Sequence, residues 1–66
     1  MKTVHKFFIM FSGEYQGIQF HNNLVGTADT IDDAVLLLQE IKDEDKEMIG
    51  SIPNGYEIRD QDVFVP

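Results

Sequence analysis

The sequence predicts an α+β domain, in which a small antiparallel sheet is covered on one face by one amphipathic helix. Three observations predict this ββαβ or ββαββ order. Two runs rich in aromatic and β-branched residues come first, a stretch with apolar residues at helical spacing follows, and shorter apolar runs come after a Pro-Asn-Gly turn. With 66 residues, the chain is expected to form a single domain over residues 1–66.

The first two strands are expected to form a hairpin. Residues 4–11 (VHKFFIMF) are typical of a strand, and residues 18–21 alternate apolar and polar side chains. The segment 12–17 between them contains two glycines and is expected to be the turn. Asn22-Asn23 is expected either to bulge or to turn the chain. Leu24-Val25 then either extends the second strand or begins a short third one.

A helix is predicted from residue 31. Thr30 is the expected N-cap, and Asp33, three residues later, completes a pattern similar to a capping box. Gly50 is a typical residue to follow the last turn, which places the helix end at Ile49. The expected apolar stripe consists of Ile31, Ala34, Val35, Leu38 and Ile41, with Leu37 on its flank.

The second half of this helix contains one conflicting residue, Asp45. At about 100° per residue, Asp45 falls within the apolar stripe, between Ile41 and Met48. A buried carboxylate without a partner is strongly unfavourable. Either the helix breaks near Asp43-Glu44, or it continues and its last turns extend past the sheet edge, so that Asp45 lies in water. We favour the continuous helix.

The C-terminal segment begins with a turn at Pro53-Asn54-Gly55. Residues 56–59 and 63–65 are both typical of strands. Residues 60–62 (DQD) form either a tight turn between two strands or the middle of one longer strand.

One face of the predicted sheet has no helix to cover it. If Phe11 lies opposite Ile18, the helix side holds five apolar residues: Phe7, Ile9, Phe11, Ile18 and Phe20. The other side then holds Lys6, Phe8, Met10, Gln19 and His21. Either the C-terminal segment covers this second face with Phe64 or Val65, or the face binds a partner, a second copy of the chain or a ligand.

Charge is distributed unevenly along the chain. The net charge is −7, and residues 29–47 contain eight acids against Lys42 and Lys46. Because nucleic-acid phosphates repel a negative surface, direct nucleic-acid binding is not expected. A helix rich in carboxylates is instead expected to bind a basic protein surface as a nucleic-acid mimic, or else only to keep the protein soluble. The expected partner contacts are Asp32, Glu40, Asp43, Glu44 and Glu47.

The sequence lacks the patterns of catalytic and cofactor sites. It contains no cysteine, no nucleophile elbow and no Gly-rich phosphate loop. His5 and His21 are expected on opposite faces of the hairpin, so they are not predicted to share a metal ion. A core this small is also expected to leave little room for a pocket. We therefore predict no enzymatic activity, no cofactor and no metal. The apolar run at residues 7–11 is too short for a signal peptide or a membrane span, and a cytoplasmic location is expected.

The order of motifs resembles that of HicB-type antitoxins. The run from Phe8 through Gly17-Ile18, then residues 24–26 (LVG), then residues 29–34 (DTIDDA), is similar to a hairpin, a Leu-Pro-Gly segment and an Asp-Thr-Leu-Glu-Glu-Ala helix start. Val25 stands in place of the proline, and the segment before Thr30 is about three residues shorter. The resemblance covers about half of the chain.

These observations predict a non-enzymatic, protein-binding domain. Small size, acidity and the absence of catalytic motifs are also similar to phage-encoded inhibitors of host defence proteins. The hypothesis is therefore a viral or antitoxin-like inhibitor that blocks a host protein, with a nucleic-acid-handling protein as the expected class of partner. The alternative is a homodimer or larger homo-oligomer that pairs through the uncovered sheet face.

Overall fold

The computed structural model describes residues 2–65. The elements are β1 (Lys2–Tyr15), β2 (Ile18–Ala28), α1 (Ile31–Ile49) and β3 (Tyr56–Val65). Both outer strands pair antiparallel with the central one, in the order β2-β1-β3. The predicted α+β fold is confirmed, with ββαβ as the order of elements.

The β1–β2 hairpin has a much tighter turn than the sequence suggested. The strands extend to Tyr15 and from Ile18, so that only Gln16 and Gly17 connect them. Both have positive φ, 52° and 81°, as a type I′ turn requires. The prediction of a six-residue turn over residues 12–17 was therefore wrong, because the segment before Gln16 belongs to β1.

The predicted register was also wrong. Phe11 pairs with Asn23 rather than with Ile18, and Ile9 pairs with Gly26 rather than with Phe20. Two register shifts each give β2 one more residue than β1, one near Val25 and one near Asn22, whose φ is 48°. These are β-bulges. A single extra residue in β2 would exchange its two faces relative to β1, and a second one restores them. The same faces of β1 and β2 therefore match at both ends of the hairpin.

The helix follows the sequence prediction at both ends. The Asp33 amide donates to Thr30 Oγ1 at 3.1 Å, and Gly50 adopts the left-handed conformation with φ 77°. The helix is continuous through Asp43-Glu44, as we favoured. Asp45, which was expected in water, is only 6% exposed. The helix does not extend past the sheet at this residue, since tyrosines of β1 and β3 both reach its carboxylate.

The core is small and lies between α1 and the hairpin. Its buried apolar residues are Ile9, Phe11 and Ala34. Leu37 packs directly on Gly26 of β2. A Cβ on Gly26 would come 2.8 Å from Leu37 Cδ2, so a larger residue would not fit there. Leu37, predicted on the flank of the apolar stripe, therefore contacts the sheet. Other members of the predicted stripe are less buried than expected. Val35 is 53% exposed and Ile31 is 49% exposed.

The molecule is elongated. β3 is one strand of ten residues that pairs with β1 from Lys2 to Phe11, whereas β2 ends at Ala28 opposite Phe7. Residues 2–6 and 61–65 therefore form a two-stranded ribbon beyond the end of β2. The radius of gyration of 13.3 Å exceeds the roughly 11 Å expected of a compact chain of this length.

The C-terminal strand does not cover the open face of the sheet. β3 lies beside β1 in the same sheet, and Phe64 is 72% exposed. The expectation that Phe64 or Val65 covers the open face was therefore wrong. Within residues 2–65, no helix is both long enough and apolar enough to cross a membrane.

Candidate binding surfaces

The face of the sheet opposite α1, called the open face here, carries a shallow apolar groove. Phe8 pairs with Arg59 and Met10 pairs with Leu24, and alternate side chains of a strand lie on the same face. These four residues and Gln61 line a groove of about 310 Å³. Leu24 is 53% exposed at its edge.

Polar groups border this groove at two places. Arg59 donates to Glu57 at 2.6 Å and to Asn22 Oδ1 at 3.1 Å, and the Asn22 amide donates to Ser12 Oγ at 2.9 Å. At the other place, Lys6 Nζ lies 3.1 Å from Asp29. The open face therefore has apolar residues in the middle and charged pairs at its rim.

The five residues predicted for this face lie as follows. Lys6, Phe8 and Met10 are half-buried on β1, and Gln19 is exposed opposite Glu14, on the same side. His21 is exposed and lies next to the bulge, where its Nε2 is 3.4 Å from the Asn22 carboxamide. The sequence analysis did not predict Leu24, Arg59 and Gln61 for this face. Arg59 and Gln61 alternate with Ile58 and Asp60 along β3, and this alternation could have placed them on one face.

The predicted acidic contacts share one exposed side of α1. At about 3.6 residues per turn, they fall within about a third of the helix circumference, opposite the buried Ala34. We call this set the acidic stripe: Asp32, Glu40, Asp43, Glu44 and Glu47, all exposed. Leu36 lies within the stripe, four residues after Asp32 and four before Glu40, and is 63% exposed.

The carboxylates of the acidic stripe lack cationic partners within residues 2–65. None of them takes part in the ion pairs formed there. The only side-chain hydrogen bond to the stripe among those residues is donated by Gln39 to Asp43, at 3.0 Å. The stripe is therefore a surface of free negative charge around one exposed leucine.

A third site lies between the second half of α1 and the sheet, at Asp45. Tyr15, from the end of β1, donates its hydroxyl to Asp45 Oδ1 at 3.1 Å, and Tyr56, from the start of β3, donates to Oδ2. The carboxylate is thereby connected to two strands that are far apart in sequence. This arrangement resolves the conflict noted in the sequence, because the helix tolerates a buried acid whose oxygens both accept hydrogen bonds.

The two tyrosine hydroxyls are harder to ionise than usual. The hydrogen bond to Asp45 raises the pKa of Tyr15, with desolvation and the nearby negative charge adding to the effect. Burial raises the pKa of Tyr56 well above its ordinary value, and the hydrogen bond to Asp45 raises it further. Both hydroxyls therefore remain protonated donors to the carboxylate throughout the physiological range.

Around this carboxylate is a cleft of about 300 Å³, which we call the aromatic cleft. Phe11 is its most buried ring, with ring centroids 4.8 Å from Tyr56, 6.0 Å from Phe20 and 6.3 Å from Tyr15. Asn23, Val25, Ile41 and Asp45 complete the lining. Composition alone gave no sign of the cleft, because its rings come from four separate places in the sequence.

His5 is bound between two carboxylates on the protruding ribbon. Its Nδ1 lies 2.9 Å from Asp62, and its Nε2 lies 3.2 Å from Asp60. These hydrogen bonds, with Asp62 as the larger contribution, raise the pKa of His5 above 6.5. The site is exposed, and among the described residues no group of acids, histidines or cysteines has the geometry of a metal site.

Known proteins provide no template for these surfaces. No protein-family model, no curated protein and no solved structure matches the chain. The resemblance to HicB-type antitoxins therefore has no support beyond the motifs quoted above.

Proposed function

We propose that this protein is a non-enzymatic inhibitor that binds a basic surface of a host protein through the acidic stripe, acting in the cytoplasm. The observation that carries the proposal is the set of exposed carboxylates that lack cationic partners within residues 2–65. Opposite charges on a partner would steer association and set its salt dependence.

The number of carboxylates along α1 suits a surface made for nucleic acid. From Asp32 to Glu47, α1 rises about 22 Å and carries six outward acids when Asp33 is included. One strand of duplex DNA places about six or seven phosphates along the same length. A nucleic-acid-handling protein therefore offers a basic surface of matching charge density.

A purely solubilising role explains the acidic stripe less well. Two like-charged pairs stand four residues apart, Glu40 with Glu44 and Asp43 with Glu47, and each such pair destabilises a helix by about 0.2–0.5 kcal/mol. Acids near a helix C-terminus also face the negative end of its dipole. Solubility is normally achieved with interspersed charges of both signs and few exposed leucines, whereas Leu36 is exposed here.

The test compares two double charge reversals with equal change in net charge. Glu40→Lys with Glu47→Lys alters the acidic stripe. Glu14→Lys with Glu57→Lys, on the open-face side of the sheet, is the control of equal charge; it also breaks the ion pair between Glu57 and Arg59. Tagged proteins are used to capture partners from nuclease-treated extract, which are eluted by a salt gradient and quantified by mass spectrometry.

The expected result is that the stripe variant loses a salt-sensitive partner, at least tenfold, while the control retains it. The stripe variant should also be slightly more stable in urea, because its substitutions turn repulsive helix pairs into attractive ones. Loss of binding then reflects the surface and not unfolding. Equal retention by both variants would refute the role of the acidic stripe.

A second candidate function is self-association through the open face, favoured by the apolar groove of Phe8, Met10 and Leu24. The two longer dimensions of the molecule are 44 and 22 Å, so a rectangle that encloses this face measures about 970 Å². A standard interface of about 800 Å² per partner would take up most of it. Phe8→Glu or Leu24→Glu should then give a monomer in sedimentation analysis. An unchanged mass in both variants would exclude this face.

A further inference from the structure

The aromatic cleft combines two features that are found together neither on the acidic stripe nor on the open face. Four rings, Phe11, Tyr15, Phe20 and Tyr56, surround its space, and a buried carboxylate lies next to them. The expectation that so small a protein has little room for a pocket was wrong, because the cleft measures about 300 Å³. That volume is at the lower end of the range for small-molecule sites.

The carboxylate in the cleft is poorly compensated. Asp45 is 6% exposed, and none of the ion pairs within residues 2–65 includes it. It also lies near the C-terminal end of α1, toward the negative end of the helix dipole. The two tyrosine hydroxyls supply hydrogen bonds but no positive charge. The electrostatics of the cleft therefore favour a cation.

We propose that the aromatic cleft binds a methylated ammonium group, as found in choline or in a trimethylated lysine side chain. Aromatic faces attract cations, and this attraction is strongest for cations that have given up their water. Asp45 adds the full negative charge. The inference stands on the cleft alone and does not depend on the function proposed for the acidic stripe.

Methylation is what distinguishes the expected ligand from an ordinary amine. A primary ammonium has three N–H donors that need acceptors. Both oxygens of Asp45 already accept from tyrosines, and Asn23 is the only other polar side chain of the lining. Each carboxylate oxygen keeps one further lone pair, so a primary amine would compete with the tyrosine hydroxyls for the few acceptors of the cleft, whereas a trimethylammonium group has no donors to satisfy.

The decisive experiment needs only the wild-type protein. Choline and its neutral isostere 3,3-dimethylbutanol are titrated separately while amide NMR shifts of the lining residues are followed. Choline should bind at least tenfold more tightly, which corresponds to about 1.4 kcal/mol. Ammonium chloride at equal ionic strength serves as the unmethylated cation probe and should give no saturable shift. Equal binding of choline and the isostere, or no saturable shift with choline, would overturn the proposal.

Variants identify the group responsible. Asp45→Asn removes the carboxylate charge, and Glu14→Gln, which removes an exposed charge on the opposite face of the sheet, is the matched control. Choline affinity should fall at least tenfold in the first and stay within about twofold in the second, since the exposed charge is screened. Equal affinities would refute the role of Asp45. If Asp45→Asn does not fold, the isostere comparison in the wild-type protein decides alone.

The source of the ligand is assigned with two peptides of one sequence, one carrying trimethyl-lysine and the other unmodified lysine. Tighter binding of the trimethylated peptide than of choline would assign a modified protein as the ligand. Binding of choline without binding of the trimethylated peptide would assign a free small molecule. Equal binding of both peptides would contradict recognition of the methyl groups.

Discussion

Gly55→Ala is predicted to destabilise the protein far more than one added methyl group normally would. Gly55 has a φ of +128°, and a Cβ built on it would overlap the carbonyl oxygen of Ser12 and lie 3.0 Å from the Ser12 carbonyl carbon. The Ser12 amide also donates to the Gly55 carbonyl at 3.1 Å. Backbone is therefore held against backbone, and no flexible side chain is available to move aside.

The magnitude follows from two separate costs. Forcing a residue with a side chain into such a φ costs about 1–3 kcal/mol, and displacing the packed backbone of β1 costs about 1–3 kcal/mol more. A chain of 66 residues is expected to have a free energy of unfolding of about 3–10 kcal/mol. A loss of about 2–6 kcal/mol is therefore a large part of the total stability.

Urea denaturation followed by far-UV circular dichroism measures this loss. Gly50→Ala is the matched control, because Gly50 also has a positive φ, +77°, but nothing lies within 4 Å of the place that an added methyl group would take. That control should cost only the backbone term, about 1–2 kcal/mol. Equal losses in the two variants would show that the close approach to Ser12 contributes nothing, and would refute the reasoning.

Two further predictions concern hydrogen-bonded side chains. Tyr56→Phe leaves one oxygen of Asp45 without a donor and should lower the free energy of unfolding, measured by urea denaturation, by about 1–3 kcal/mol. Tyr15→Phe should lower it by a similar amount. An unchanged urea midpoint in both variants would contradict the role of the hydroxyls. Because the folded-state pKa of His5 is raised, its contribution to stability is complete below pH 6.5 and is lost as the pH rises through the raised value. In NMR titrations Asp62→Asn should lower that pKa, and an unaltered titration would disprove the pairing.

Local signals explain which parts of the fold could be predicted from the sequence. The helix limits depend on Thr30, Asp33 and Gly50, each of which acts on its own turn of the chain. The hairpin register depends instead on which glycine lies in the turn. Gly13 has a φ of +144° within β1, while Gly17 forms the turn, and nothing in the sequence near either glycine separates the two cases.

The aromatic cleft shows the limit of pattern reasoning more clearly. Periodicity correctly placed Asp45 in the buried stripe of α1, but the cost of burying it argued for exposure. The resolution required Tyr15, which is 30 residues away, and Tyr56, which is 11 residues away. An acid in an apolar stripe is therefore best treated as a buried group whose donors must be sought elsewhere in the chain.

The acids of α1 thus divide into two kinds with opposite effects on stability. Asp45 points inward and accepts hydrogen bonds from two strands, so its removal should weaken the attachment of the helix to the sheet. Glu40, Glu44 and Glu47 point outward, repel one another and have no cationic partners within residues 2–65, so their removal should leave the free protein as stable or more stable. The fold does not need these outward acids and is slightly opposed by them, which is the pattern expected if the acidic stripe is the binding surface proposed above.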